Sequence, residues 1–324
     1  MTANAPRVSV VIRCFNEAEH IGRLLTGIAR QSEKDIEIVV VDSGSTDETL
    51  SIASKFPVRI VHIEPEKFSF GRALNIGCAA SSGEILVFAS AHVYPLRSDW
   101  IEKLIEPFSD AQVAVSYGRQ QGKSVSKYSE RQLFETWFPA TSVQSQSHFF
   151  CNKANAAIRR SLWADYQYDE ALTGLEDLHM AKRLHENGYQ IAYAADASIV
   201  HVHDETYPQI YNRYRREAIA LKQIMPSDTF ALSDFFRLLT ANVLNYLFHA
   251  AKERVFLQHA ASIVMFRVMQ FWGTYRGASG RTEISADLRR RFYYPHELIK
   301  KGDAFESDQA GKLIDYTAPD GDQG

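Results

Sequence analysis

Cysteine is scarce: Cys14, Cys78 and Cys151 are the only three in 324 residues, and no two form a CxxC pair or a zinc-ligand spacing. So sparse and odd a set excludes a disulfide framework and fits a reducing compartment. The start has no charged leader followed by an apolar run, so no signal peptide is expected. No stretch approaches the roughly 20 uninterrupted apolar residues that a membrane span requires. An excess of positive charge is missing too. Lys and Arg number 36 against 39 Asp and Glu, a formal charge of −3, which removes the electrostatic basis for nucleic acid as a partner. The remaining composition, 45% hydrophobic and 23% charged, suffices to bury the core of one large α/β domain, with or without an appendage. The expectation is a cytoplasmic protein.

Strand and helix patterns alternate from the start. Val8–Ile12 is a β-branched run that reads as a buried strand, and Ile21, Leu24, Leu25 and Ile28 follow at helical spacing. Ile36–Val41 is a second strand ending at Asp42. Ser45 and Glu48 match a capping box for a helix to about Lys55. Val58–Ile63 and Glu84–Ala89 read as further strands, with a helix at Gly71–Ala80 between them. This order predicts a parallel, doubly wound sheet flanked by helices. Its ligands are expected beyond the carboxyl ends of the strands, which directs attention to Arg13–Glu17, Asp42–Asp47 and Ser90–Tyr94.

Past residue 95 the alternation loosens. Helices are expected at Trp100–Phe108, Lys127–Trp137 and Leu175–Asn187, and strands at Val113–Tyr117, Ala154–Ile158, Gln190–Ala194 and Ser198–His203. The chain divides into an α/β domain over 1–206, a helical region over 207–302, and a polar tail over 303–324 expected to fray.

Several clusters can carry chemistry. Asp42 can accept a hydrogen bond from a nucleotide base or ribose, or it can merely shape its turn with Ser45. His92 follows a strand, and His201 and His203 alternate so that both point to one face. Together they can hold a metal ion, although a histidine at a strand end is more often a hydrogen-bonded loop residue. Glu176 and Asp177 open a helix. Thr173 with Glu176 matches another capping box, while Asp177 suits a general base. Asn152, Lys153 and Asn155 suggest an acceptor loop or a packed turn. Arg213 and Arg216, three apart on a helix, can share a face aimed at phosphates or lie solvated.

Taken in order, these residues resemble the family 2 inverting glycosyltransferases, which have the GT-A fold. The resemblance runs from Val8 to about Arg216. It rests on Val8–Ile12 with Asn16-Glu17, Val39–Asp47, Gly71–Gly77, Gly83–Phe88, Glu176-Asp177 and His201-x-His203. It implies a Rossmann-like α/β fold with a mostly parallel sheet and a C-terminal helical region. Asp177 becomes the catalytic base, with Glu176 beside it. The donor nucleotide is expected against Arg13, Phe15, Asn16, Glu17, Asp42, Ser43, Ser45, Asp47, Arg72, Asn75, Ser90, Ala91, Arg213 and Arg216.

One departure is plain. The family usually carries Asp-x-Asp after the fourth strand to hold Mn²⁺ or Mg²⁺, and here the segment is Ser90-Ala91-His92. A related polypeptide N-acetylgalactosaminyltransferase family uses Asp-x-His, so His92, His201 and His203 become the metal candidates. The substitution also raises a second reading, a catalytically silent nucleotide-sugar-binding subunit. A nucleotidyltransferase would need a Gly-rich basic loop after the first strand, which Arg13–Glu17 does not supply.

Within the family, Tyr117–Gln120, Asn152–Leu162 and His201-Val202-His203 look most like bacterial rhamnosyltransferase-type enzymes of surface polysaccharide synthesis. The resemblance implies a UDP-, dTDP- or GDP-sugar donor and a saccharide or lipid-linked saccharide acceptor. The helical region, where Arg237, Lys252, Arg254, Arg267 and Arg276 mix with Phe and Leu, is expected to pack on the catalytic domain. It can also form a homodimer or rest on the inner face of a membrane.

Overall fold

A computed structural model describes residues 6–122, 125–280 and 313–316. Four strands lead: β1 (Val8–Cys14), β2 (Ile36–Asp42), β3 (Arg59–His62) and β4 (Ile85–Ser90). They alternate with α1 (Ile21–Ala29), α2 (Thr49–Ala53) and α3 (Phe70–Ala79). After them come β5 (Val93–Pro95), α4 (Trp100–Ile105), β6 (Val113–Gly122), α5 (Tyr128–Trp137), β7 (Asn155–Arg159), α6 (Arg160–Tyr166), α7 (Glu176–Glu186) and β8 (Gln190–His201). All eight strands lie in one sheet, in the order β3-β2-β1-β4-β7-β6-β8-β5.

The first four are parallel, as their alternation with helices predicts. The parallel run ends at β7, which is antiparallel to both β4 and β6. β8 is parallel to β6, and β5 closes the far edge antiparallel to β8. Two strands expected over 190–203 are one, β8, whose register against β6 shifts between Gly118 and Gln120.

The alternation of side chains along the strands builds two core layers. Val10, Ile12, Val40 and Val87 face Leu24, Leu25, Trp100 and Ile101 on one side. Val11, Val39, Val41, Leu86 and Phe88 face Leu74, Cys78, Met180 and Leu184 on the other. In α1, Ile21, Leu24, Leu25 and Ile28 are all buried, each contributing about 2 kcal/mol of apolar burial. Gly188, at φ +85, follows the last turn of α7 and stops it.

Neither expected capping box forms. α2 begins at Thr49, because the Ser45 hydroxyl instead accepts the Asn16 N–H at 2.9 Å. Thr173 donates its hydroxyl to the Arg216 carbonyl at 2.9 Å, and no side chain caps α7.

The C-terminal region is α8 (Tyr207–Ile224), α9 (Leu232–Lys252) and α10 (Phe256–Ser279). It packs on α5: Leu133 meets Ile210, Tyr214 and Phe266, and Tyr128 meets Tyr246, Ala250 and Ile263. Within the segment expected to fray, residues 313–316 are tied down. Ile314 donates to the Leu96 carbonyl at 3.1 Å and Tyr316 to that of Pro95 at 2.6 Å. The rest of that segment lies outside the described residues, as do 281–302 of the helical region.

Candidate active site

The carboxyl ends of β1, β2 and β4, the start of α7 and the polar face of α8 converge on one edge of the sheet. The β1–α1 and β2–α2 loops are zipped together there. Asn16, in the left-handed region at φ 53, accepts the Thr46 N–H at 2.8 Å. Thr49 accepts the Glu17 N–H at 2.7 Å, and Asp47 that of Ala18 at 3.1 Å. Of the two roles open to Asp42, turn-shaping is visible. Its buried carboxylate accepts the N–H of Gly44 at 3.1 Å and of Ser45 at 3.2 Å. Gly44 has φ +95, a conformation that a side chain would strain. Ser43 is also buried, with its hydroxyl on the Cys14 carbonyl, while Phe15 is half-buried.

The start of α7 carries the acidic pair. Leu175, just before it, is left-handed at φ 57, strain of the kind that persists where a fold over-determines a position. Glu176 is buried and pairs with Lys153, and Arg13 lies 3.8 Å from the same oxygen. Burial alone would raise its pKa, but Lys153 and Arg13 outweigh that and hold it lowered. Asp177 is 9% exposed. Its oxygens accept the Lys153 N–H and the Leu178 N–H, each at 2.8 Å. Arg13, Lys153 and Arg216 all approach the Phe70 ring, at 4.8, 5.3 and 4.5 Å from its centroid. Three cations thus gather at one ring, and two of them, Arg13 and Lys153, reach Glu176.

Next to this chamber stand the histidines. A ring nitrogen from each of His92, His201 and His203 lies within 4.8 Å of the others. His92 Nδ1 is 2.7 Å from Glu17, His201 Nδ1 2.7 Å from Gln120, and His203 Nδ1 2.9 Å from Glu130. Burial opposes charge on His92, but Glu17 outweighs it and raises the pKa. His201 is held well below the usual range by burial and by His203, His92 and Arg213. Glu130 is buried, yet Arg213 and His203 lower its pKa to about 2. Three imidazoles with oxygen partners behind them suit a divalent cation, so the residues present fit the metal that the family resemblance implies.

Other expected contacts are corrected. Asn75 spends both its amide groups inside the fold: it donates to the Tyr168 carbonyl and to Glu170, and accepts from Trp163 and the Tyr168 N–H. Asn155 is fully buried in β7, bonded to Trp100, Arg119 and Ala197. It belongs to the sheet and not to an acceptor loop. Asn152 accepts the Ala154 N–H at 3.0 Å, leaving Lys153 as the member of that loop that reaches the site. Ala91 is buried in the core and Ser90 ends β4. Arg72 sits 3.4 Å from Glu170. Arg213 and Arg216 diverge, because Arg213 is bound between Glu130 at 2.9 Å and Glu205 at 2.6 Å.

Phe70, Gln120 and Glu130 are site residues that the sequence reading did not select. Glu130 left a usable signal: with Leu133 and Phe134 it occupies the buried face of α5 at spacings of three and four. A lone carboxylate on an apolar helix face needs a partner.

The sequence model of glycosyl transferase family 2 matches residues 9–166, the span holding β1–β7 and the Arg13, His92 and Lys153 positions. Over these residues the chain carries a family 2 glycosyltransferase domain. Among relatives of this glycosyltransferase is the O-antigen chain rhamnosyltransferase RfbN of Salmonella typhimurium. It is 26% identical over 221 residues, covering 64% of this chain and 70% of the relative. The O-antigen chain rhamnosyltransferase WbaN of Salmonella anatum is 29% identical over 205 residues, 57% of this chain and 62% of the relative. The fold is also that of the mannosyltransferase PcManGT from Pyrobaculum calidifontis, solved with GDP-Man and Mn²⁺. The TM-score is 0.58 at 20% identity, over 91% of this chain and 89% of that one. These neighbours are GT-A glycosyltransferases, and GT-A is the fold of this chain.

Proposed function

We propose that this glycosyltransferase moves a sugar, with inversion, from a nucleotide-diphosphate sugar to a hydroxyl of a saccharide or lipid-linked saccharide in bacterial surface polysaccharide synthesis. The observation that carries the reading is the acidic pair inside its cationic chamber. Asp177 is the base: it is the more open of the pair, 9% exposed against 1% for Glu176, and two backbone N–H groups fix its carboxylate. It takes the proton of the acceptor hydroxyl as that oxygen bonds to the anomeric carbon. The bond from that carbon to the diphosphate oxygen breaks, and its electrons leave with the nucleotide. Glu176, sealed by Lys153 and Arg13, positions the cations and does not meet the acceptor. Arg13, Lys153 and Arg216 stabilise charge developing on the leaving group.

A divalent cation held by His92, His201 and His203 supplies further charge neutralisation when bound. The relatives named for rhamnose transfer and the neighbour solved with GDP-Man and Mn²⁺ support a nucleotide-sugar donor and a cation. The silent-subunit reading is not favoured, because imidazoles gather where the Asp-x-Asp carboxylates are missing. Asp177→Asn tests the assignment. Transfer is expected to fall about 10²- to 10⁴-fold with calorimetric affinity for the nucleotide unchanged; turnover near that of the parent protein rejects Asp177 as the base.

We further propose that α9 and α10 rest on an anionic membrane surface, where a lipid-linked acceptor would be found. Among the described residues, Phe236, Leu244, Phe248, Leu257, Met265 and Trp272 form an uncovered apolar face, Leu257 at 95% exposure. Arg237, Lys252 and Arg276 are exposed on the same helices and Arg254 on the turn between them, a charge complement to anionic headgroups. No helix of the described residues is long and apolar enough to cross the bilayer.

A further inference from the structure

The three imidazoles are oriented from behind, and the orientation narrows what they can hold. Each Nδ1 faces a side-chain oxygen: Glu17 for His92, Gln120 for His201 and Glu130 for His203. Glu17 and Glu130 are carboxylates that only accept when ionised, so Nδ1 of His92 and of His203 donates and each neutral ring keeps its lone pair on Nε2. With the Gln120 amide oxygen toward it, His201 is set the same way. His201 Nε2 and His203 Nε2 then stand 2.9 Å apart, lone pair toward lone pair. That contact is repulsive unless positive charge lies at the nitrogens. His92 completes the set within 4.8 Å and is the most open of the three, with 32% of its side chain exposed. A second grouping, Glu130 with His203 and Glu205, shares one ring. Its carboxylates are already engaged by Arg213 at 2.9 and 2.6 Å, so an ion there would compete with a guanidinium.

We propose that His92, His201 and His203 hold a transition ion of the Zn²⁺, Co²⁺ or Ni²⁺ kind in preference to Mg²⁺, and that Glu17, Gln120 and Glu130 are its positioning residues. The inference rests on the cation site of the proposed reaction and narrows the ion. Mg²⁺ is hard, prefers six oxygens and sheds water reluctantly, whereas imidazole nitrogen suits the later first-row ions. Oxygen partners behind ligating rings fix tautomer and direction, and their loss typically costs 10- to 100-fold in metal affinity.

Co²⁺ titrated into the metal-stripped full chain, followed by visible absorption, tests this without a sugar donor. A d–d band saturating at one equivalent, displaced by Zn²⁺ and indifferent to a large excess of Mg²⁺, is expected. His92→Ala should abolish the band, and Glu17→Gln should weaken Co²⁺ binding about 10-fold with the circular dichroism spectrum intact. A purely structural Glu17 would shift the melting temperature and leave the Co²⁺ affinity alone. No band in folded protein, which would leave a shared proton as the occupant, or displacement of Co²⁺ by Mg²⁺ overturns the proposal. An unchanged Co²⁺ affinity in Glu17→Gln does the same. Absence of the band with sugar transfer intact overturns only the ion assignment. A saturating band in a protein that transfers no sugar supports the ion assignment and counts against the reaction.

Discussion

Polar residues that look alike in sequence do different work here, and burial separates them. Asn155 is fully enclosed, with Trp100 donating to its oxygen and its amide donating to two carbonyls. Asn155→Ala leaves those groups without partners and is expected to destabilise the protein by about 3 kcal/mol. Thermal or urea unfolding checks this, while nucleotide affinity of the folded fraction should not change. Lys153, two residues earlier, has the opposite profile: its ammonium and its N–H hold Glu176 and Asp177. The Asn152–Asn155 stretch was legible in sequence as polar and as near the site. Which member faces inward was not legible, because that depends on where β7 enters the sheet beside β4 and β6. Glu176 teaches the same lesson. Its capping-box pattern with Thr173 is real in sequence, but the Arg216 carbonyl takes the Thr173 hydroxyl, a contact with a helix more than forty residues away.

At the scale of elements, alternation was readable and pairing was not. β1 to β4 follow from β-branched runs separated by amphipathic helices, and they form the parallel half of the sheet. The antiparallel insertion of β7 has no local signature, since Asn155–Arg159 reads as a strand in either direction. Helix packing shows a similar limit. Gly273 and Gly277 bring α10 against α8 so closely that a Cβ would lie 2.5 Å from the Tyr211 carbonyl oxygen and 2.4 Å from that of Arg215. Backbone atoms cannot yield as a flexible side chain can, so Gly277→Val should push the helices apart. We expect a loss of about 2 kcal/mol from overpacking, with faster proteolysis within α9 and α10. Donor binding is expected to weaken as well, because Arg216 is carried on α8. Parent-like stability and cleavage rate would contradict this account of the contact.

For the whole molecule, the helical region both completes the site and presents a surface. α8 sends Arg216 into the cationic chamber and, diverging from it, Arg213 to the carboxylates beside the histidines, so side chains from beyond residue 206 reach the site. α9 and α10 carry the exposed apolar side chains. Flotation with vesicles containing phosphatidylglycerol should carry the protein upward, and vesicles of phosphatidylcholine alone should carry much less. Phe248→Ser with Leu257→Ser should leave the protein at the bottom of the gradient without altering its melting temperature, since both side chains are already solvated. Protein that ignores anionic vesicles altogether argues against membrane contact.

The sequence by itself determined the α/β alternation, the family, the acidic pair at 176–177 and the replacement of Asp-x-Asp by Ser90-Ala91-His92. Those are properties of neighbouring residues, and hydrophobic periodicity and local motifs record them. Only the tertiary structure decided that Arg13, Lys153 and Arg216 share one aromatic ring, that Asn75 and Asn155 are spent on the fold, and that Glu17, Gln120 and Glu130 each stand behind a histidine. The physical reason is that each such contact joins segments distant in the chain. Whether a buried charge or amide has a partner is settled by packing, which no local pattern encodes.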